Sequence, residues 1–190
     1  MKSPFYFIVE PVGGRRYDNV KKIGDIDFIT STSQEDFKAS NRKAKVIECP
    51  SGYKGPIKPG DILVVHHNVF KIYYDMKGRE RSGWSFLKDN TFFLEPNQYY
   101  MYYNGDTWNC VDDFCFLKPI KSEDIDIYNI YTEVNLFGEV KYGNKELEDN
   151  NIFEGDIVSF TPHSEYEFEI DGEKLYRMRT KDIALWIQKK

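Results

Sequence analysis

The chain repeats itself, and the repeat limits its possible folds more than any other feature. Lys58-Pro59-Gly60-Asp61-Ile62-Leu63-Val64-Val65-His66 parallels Phe153-Glu154-Gly155-Asp156-Ile157-Val158-Ser159-Phe160-Thr161 at a separation of 95 residues. Upstream, Phe7-Ile8-Val9-Glu10-Pro11-Val12 parallels Cys115-Phe116-Leu117-Lys118-Pro119-Ile120 at a separation of 108. Between these landmarks Val46 lies 14 residues before Gly60, and Val140 lies 15 before Gly155. Recurrence of the same segments in the same order is the signature of a duplicated unit. The 190 residues therefore divide into residues 1–110 and 111–190, both within the size range of small β domains.

Both copies read as strands. Tyr6-Phe7-Ile8-Val9, Ala44-Lys45-Val46-Ile47, Ile62-Leu63-Val64-Val65 and Thr91-Phe92-Phe93-Leu94 are short, rich in β-branched or aromatic residues, and bounded by Gly, Pro or Asn. Phe114-Cys115-Phe116-Leu117, Gly138-Glu139-Val140-Lys141-Tyr142 and Leu175-Tyr176-Arg177-Met178 continue the pattern, and nothing resembles a long amphipathic helix. In Tyr166-Glu167-Phe168-Glu169-Ile170 every second residue is apolar, and Asp171-Gly172 follows. Asp-Gly suits a type I′ turn, which needs positive φ at both central residues, so a hairpin is predicted between residues 166–170 and 174–178.

The fall in separation from 108 to 95 gives the first copy about 13 extra residues after its opening strand. They lie in residues 17–42, a polar stretch far longer than a hairpin connection. A second addition, the charged residues 75–84, stands where the second copy has its Asp-Gly turn, so the first copy is expected to have replaced that hairpin with its insertion.

Net charge is −5, which disfavours a dedicated nucleic-acid binder. The charge is uneven: residues 1–110 carry 16 Lys and Arg against 13 Asp and Glu, and residues 111–190 carry 10 against 18. Such polarity favours head-to-tail contacts between copies. No apolar run approaches the ~20 residues of a membrane span, and Met1-Lys2-Ser3-Pro4 lacks the apolar stretch of a signal peptide. The reading is a soluble cytoplasmic protein. Three cysteines, Cys49, Cys110 and Cys115, without Cys-x-x-Cys spacing, argue for reduced thiols.

The second copy resembles a GroES-family co-chaperonin, the small subunit that caps a chaperonin cage. The resemblance is carried by Gly155-Asp156-Ile157-Val158-Ser159-Phe160, Glu165-Tyr166, Ile170-Asp171-Gly172-Glu173-Lys174-Leu175, and Lys181-Asp182-Ile183-Ala184-Leu185-Trp186-Ile187, with Phe137-Gly138-Glu139-Val140 upstream. It implies two tandem, antiparallel, partly open GroES-like β barrels. Members of that family bind the chaperonin through a disordered loop after the first strand, whose apolar tripeptide docks in a groove. The matching position here is Gly24-Asp25-Ile26-Asp27-Phe28-Ile29-Thr30, which makes Ile26, Phe28 and Ile29 the candidate chaperonin-binding residues. Where the family has Gly-Gly-Ile followed by aliphatics, Asp25 and Asp27 flank Ile26 here. A polar tether with one apolar plug suits a mobile anchor; the alternative is that Ile26, Phe28 and Ile29 fold back as a local strand.

In the second copy the corresponding residues 121–136 include Ile125, Ile127, Tyr128, Ile130 and Tyr131. They are expected to pack rather than dock, leaving one docking loop per chain. The implied partners are a large chaperonin ring, which binds the nucleotide, and further copies of this chain. Seven barrels side by side cannot be assembled from whole two-barrel chains.

No enzymatic chemistry, cofactor or metal is implied. His66 and His67 are consecutive at a strand end, where neighbours face opposite ways and cannot share an ion. Gly13-Gly14 and Gly52-Tyr53-Lys54-Gly55-Pro56 read as turns, because they lack the strand-to-helix context of a phosphate loop. Tyr99-Tyr100-Met101-Tyr102-Tyr103 could offer a base-stacking platform, but core filling is the more economical role. Two further functions compete with the co-chaperonin: a structural or adaptor module, as in a virion, and nucleic-acid binding through the basic first half. A virus supplying its own lid would suit the co-chaperonin.

Overall fold

The computed structural model describes residues 2–17, 20–23, 26–29, 39–121 and 133–187. Among the described residues the protein is all-β apart from one five-residue helix and two 3-10 turns, and no sheet closes into a barrel. The chain forms two compact units, Met1–Thr107 and Trp108–Lys190.

In the first unit the strands are β1 (Phe7–Pro11), β2 (Val20–Ile23), β3 (Ile26–Ile29), β4 (Lys43–Glu48), β5 (Ile62–Val65), β6 (Ile72–Tyr74), β7 (Glu80–Ser82), β8 (Phe86–Lys88), β9 (Thr91–Leu94) and β10 (Tyr99–Tyr103). Six of them lie in the order β10-β5-β4-β1-β9-β8, and β2-β3 and β6-β7 form separate hairpins. Alternation explains the core of this sheet. In β4 the burial alternates through Ala44 and Val46, whereas the central β1 buries Phe7, Ile8 and Val9 in succession.

The second unit contains β11 (Trp108–Cys110), β12 (Phe114–Lys121), β13 (Glu133–Tyr142), helix α1 (Lys145–Asp149), β14 (Ile157–Phe160), β15 (Tyr166–Ile170), β16 (Glu173–Arg179) and β17 (Ile183–Ile187). Its six-stranded sheet runs β17-β14-β13-β12-β16-β15. Cys115, Leu117, Val140, Leu147, Ile152, Val158, Phe160 and Met178 make one buried cluster. Asn144 starts the helix by accepting the N–H of Leu147 at 2.9 Å, and its amide donates to the Phe114 carbonyl at 3.0 Å.

The two sheets have the same strand order and, outside β8-β9, where the pairing shifts between Phe86 and Lys88 as β15-β16 does not, matching registers at the pairs that follow. Val9 pairs with Val46 as Leu117 pairs with Val140, and Pro11 with Ala44 as Pro119 with Gly138. Both ladders shift at the same place, between Ile8 and Val9 in one and Phe116 and Leu117 in the other. Ala44 faces Leu63 as Gly138 faces Val158, and Ile62 faces Tyr103 as Ile157 faces Ile187.

The Gly-Asp turns are equally matched. Gly60 and Gly155, at φ of 99° and 90°, each donate at 2.8 Å to the carbonyl of Val46 or Val140. Asp61 Oδ2 caps the Lys58 N–H at 2.8 Å, and Asp156 Oδ2 caps the Phe153 N–H at 3.0 Å. The sequence motif is therefore a register pin: glycine permits the left-handed turn, and the aspartate satisfies the turn's own donor.

The Asp171-Gly172 hairpin pairs Tyr166 with Arg177 through Ile170 with Glu173, and both turn residues have positive φ. The expectation that the first unit has lost this hairpin needs correction. β8 and β9 form its counterpart, turning at Asp89 and Asn90 with φ of 46° and 61°. The charged insertion precedes that hairpin and adds β6-β7 to it.

Candidate functional site: the root of the β1–β4 connection

After β1 the chain turns through Gly13 and Gly14, at φ of 73° and 71°, and reaches Arg15, Arg16 and Tyr17. It returns at Ser40, which bridges Tyr17, and at Asn41, whose N–H donates to the Arg16 carbonyl at 3.0 Å. The Asn41 side chain, 3% exposed, ties the two arms together. Its amide donates to the carbonyls of Val12 and Arg15, both at 2.8 Å, and its Oδ1 accepts the Lys43 N–H at 2.9 Å. A connection that would otherwise splay from the sheet is thereby closed at its base.

Arg16 packs inward at this root. Its guanidinium stands 4.8 Å from the Phe92 ring centre and 5.4 Å from Phe86, and Nη1 donates to Ser82 Oγ at 3.1 Å. Among the described residues Nε and Nη2 are buried without a hydrogen-bond partner. Burial lowers the Arg16 pKa, opposed by Tyr17 and Glu80. The aromatic faces offset part of that desolvation. Tyr17 Oη accepts the Ile72 N–H at 2.9 Å, so the same root also holds the first residue of β6.

Three residues beyond Tyr17, β2 and β3 form an antiparallel hairpin in which Val20 pairs with Ile29, Lys21 with Phe28, Lys22 with Asp27 and Ile23 with Ile26. The structure thus places Ile26, Phe28 and Ile29 together on β3, as a local strand within the connection. Residues 18–19, 24–25 and 30–38 of the connection lie outside the described residues. So do residues 122–132, which include Ile125, Ile127, Tyr128, Ile130 and Tyr131 of the equivalent connection. There the chain leaves β12 at Lys121 and resumes at its Cα partner Glu133 in β13.

Compared with protein-family models and with curated proteins, the chain matches none.

His66 and His67 lie just beyond β5, not within it, and their rings stack with centres 4.1 Å apart. Opposite facing therefore does not hold, because the turn after Val65 ends the two-residue alternation. Burial, then His66, Arg42 and Lys71, depress the His67 pKa to about 4. Among the described residues no group of three or more His, Cys, Asp or Glu is disposed to hold a metal ion. Cys115 is fully buried, and burial pushes its thiol up to about 12; burial raises Cys110 and Cys49 as well. In β10, Tyr100 and Met101 are buried, which leaves no continuous platform of aromatic faces. Among the described residues no helix is long and apolar enough to cross a membrane.

Sequence reasoning did not find the root itself. Asn41 and Arg16 carry no motif, and their roles depend on contacts with Val12, Phe92 and Ser82 that are remote in sequence.

Proposed function

We propose that the protein is a co-chaperonin built from two GroES-like units, which docks on a large chaperonin ring through Ile26, Phe28 and Ile29 and assists protein folding without catalysing a reaction. The supporting observation is the position of the β2-β3 hairpin, a local strand pair rather than a floppy anchor, which carries these three residues beside a closed root at the connection where the resemblance puts the docking element. The matched strand order and register of the two units support descent from one small β unit. An apolar element on a tied base suits docking, because contact area is gained on binding while the flanking scaffold is already ordered.

Self-association belongs to this reading. β17 is an edge strand with Leu185 at 65%, Trp186 at 37% and Ile187 at 53% exposure, whereas Met101, at the position equivalent to Leu185, is fully buried. An apolar edge of this kind is a template for another strand. The same strand favours a second reading, in which the chain is a structural or adaptor module assembled through its edges with no chaperonin partner.

The test is capture of the full chain by a purified chaperonin ring in the presence of ATP, together with native mass measurement. The co-chaperonin reading requires binding that the double substitution Ile26→Asp/Phe28→Asp abolishes. Binding that survives it removes the docking assignment. A chain that ignores the ring and remains monomeric removes the function.

A further inference from the structure

The inserted hairpin β6-β7 has no counterpart in the second unit, where β14 and β15 are joined by residues 161–165 alone. Its tip is built around Asp75. Oδ1 accepts the N–H groups of Lys77 at 2.9 Å and Arg79 at 3.0 Å, and Oδ2 accepts Arg81 Nε at 3.2 Å. The Asp75 N–H donates to the Arg79 carbonyl at 3.0 Å, and Gly78, at φ 70°, donates to the Asp75 carbonyl at 2.8 Å. These donors, the Arg79 N–H foremost, hold the Asp75 carboxyl below its ordinary pKa.

A turn fixed in this way is ordered before any partner arrives, which reduces the entropy lost on binding. At its apex stands Met76, fully exposed at 105%, with Tyr73 at 43% and Tyr74 at 49% on β6 and Trp84 at 87% beyond β7. Exposed Lys77 and Arg79 flank the apex beside Glu80, and Arg81 is paired with Asp75; Lys71 stands at the base, where its carbonyl accepts the Gly83 N–H at 2.9 Å. The base is anchored twice to the root of the β1–β4 connection, by Tyr17 Oη to the Ile72 N–H and by Arg16 Nη1 to Ser82 Oγ. Both hairpins therefore spring from one corner of the first unit.

We propose that β6-β7 is a second, preformed docking element, which inserts Met76 into an apolar recess ringed by carboxylates on the protein partner that the β2-β3 hairpin also engages. This rests on the co-chaperonin reading. The cations fix the sign of the recess, and the thioether apex fixes its apolar character, since methionine adapts to irregular apolar hollows. A nucleic acid would satisfy the cations equally, but a hydrated phosphate backbone offers no apolar hollow for the fully exposed Met76 side chain. Because the two hairpins share a root, docking of one makes the second contact intramolecular.

The test measures the affinity of the full chain for an immobilised, ATP-loaded bacterial chaperonin ring. Four proteins are compared: wild type, Ile26→Asp/Phe28→Asp, Met76→Asp, and Lys77→Glu/Arg79→Glu. Each hairpin variant should bind about tenfold more weakly, a size typical of a lost interface anchor. The charge-reversed one should also lose part of the salt dependence. The substituted side chains are exposed and the turn is held by backbone N–H groups, so thermal midpoints should stay within about 2 °C of wild type. Hairpin variants that bind within about twofold of wild type, while the loop variant does not bind, overturn this proposal and leave the co-chaperonin reading intact. Wild type that ignores the ring overturns both. Salt-dependent binding of a fluorescein-labelled single-stranded oligonucleotide that Lys77→Glu/Arg79→Glu abolishes would also overturn it, by making the hairpin a nucleic-acid contact.

Discussion

Replacing Asn41 with alanine removes three hydrogen bonds from the root of the β1–β4 connection at once: those to the Val12 and Arg15 carbonyls and that from the Lys43 N–H. The side chain is 3% exposed, so water does not readily substitute for it. At about 1 kcal/mol for each bond lost, the expected cost is about 3 kcal/mol, a large share of the ~5–15 kcal/mol that stabilises a typical domain. Hydrogen exchange reads this locally. Amides of β1, β4 and β5 should exchange about 150-fold faster in the variant, the equivalent of about 3 kcal/mol in opening free energy. Asn41→Asp should do at least as much damage, because it keeps an acceptor for Lys43 but sets an oxygen against two carbonyls. Exchange within about twofold of wild type in both variants would refute the claim that Asn41 closes the root.

Two further outcomes follow from the geometry. A Cβ added at Gly138 would lie 2.9 Å from Leu117 Cβ and 3.3 Å from the Lys118 carbonyl oxygen, so Gly138→Ala should destabilise the second unit by about 1–3 kcal/mol; an unchanged urea midpoint would contradict the close approach of β12 and β13. His67 has a folded pKa of about 4 against 6.5 for the free side chain, so its neutral form is the one that folding favours. The associated stability is present above pH 6.5 and is lost as pH falls towards 4, by less than about 1 kcal/mol because the ring is partly exposed. His67→Gln should flatten that part of the stability–pH curve, and an unaltered slope would show that another group controls it.

Much of the architecture was legible because a few residues carry strong local demands. Gly60-Asp61 and Gly155-Asp156 announce turns that only glycine and a capping carboxylate make easily, and they mark the same register in both units. Asp171-Gly172 likewise signals its hairpin. The Asp89-Asn90 turn was missed because it has no glycine, although both residue types tolerate the left-handed region. Helix α1 escaped notice because five residues are too few to show helical periodicity, leaving only the Asn144 cap as a signal. At the candidate site, Ile26, Phe28 and Ile29 stand out as apolar residues in a polar stretch. Composition leaves a mobile anchor and a local fold-back strand both open there, since an antiparallel pair of four-residue strands depends on register, and the backbone takes the strand. Arg16, Tyr17 and Asn41 were invisible because their partners Ser82, Ile72 and Arg15 are 66, 55 and 26 residues away.

The connection between β5 and β8 spans residues 66–85, yet β4 and β5 before it keep the register of the unit that makes the same passage with residues 161–165. The additional sequence is thus accommodated with one local change, a register shift in β8-β9 between Phe86 and Lys88 that β15-β16 lacks. Residues 161–165 are consequently a natural site for grafting: a foreign peptide with its ends close together could be spliced in there, giving a tandem scaffold that presents two chosen epitopes.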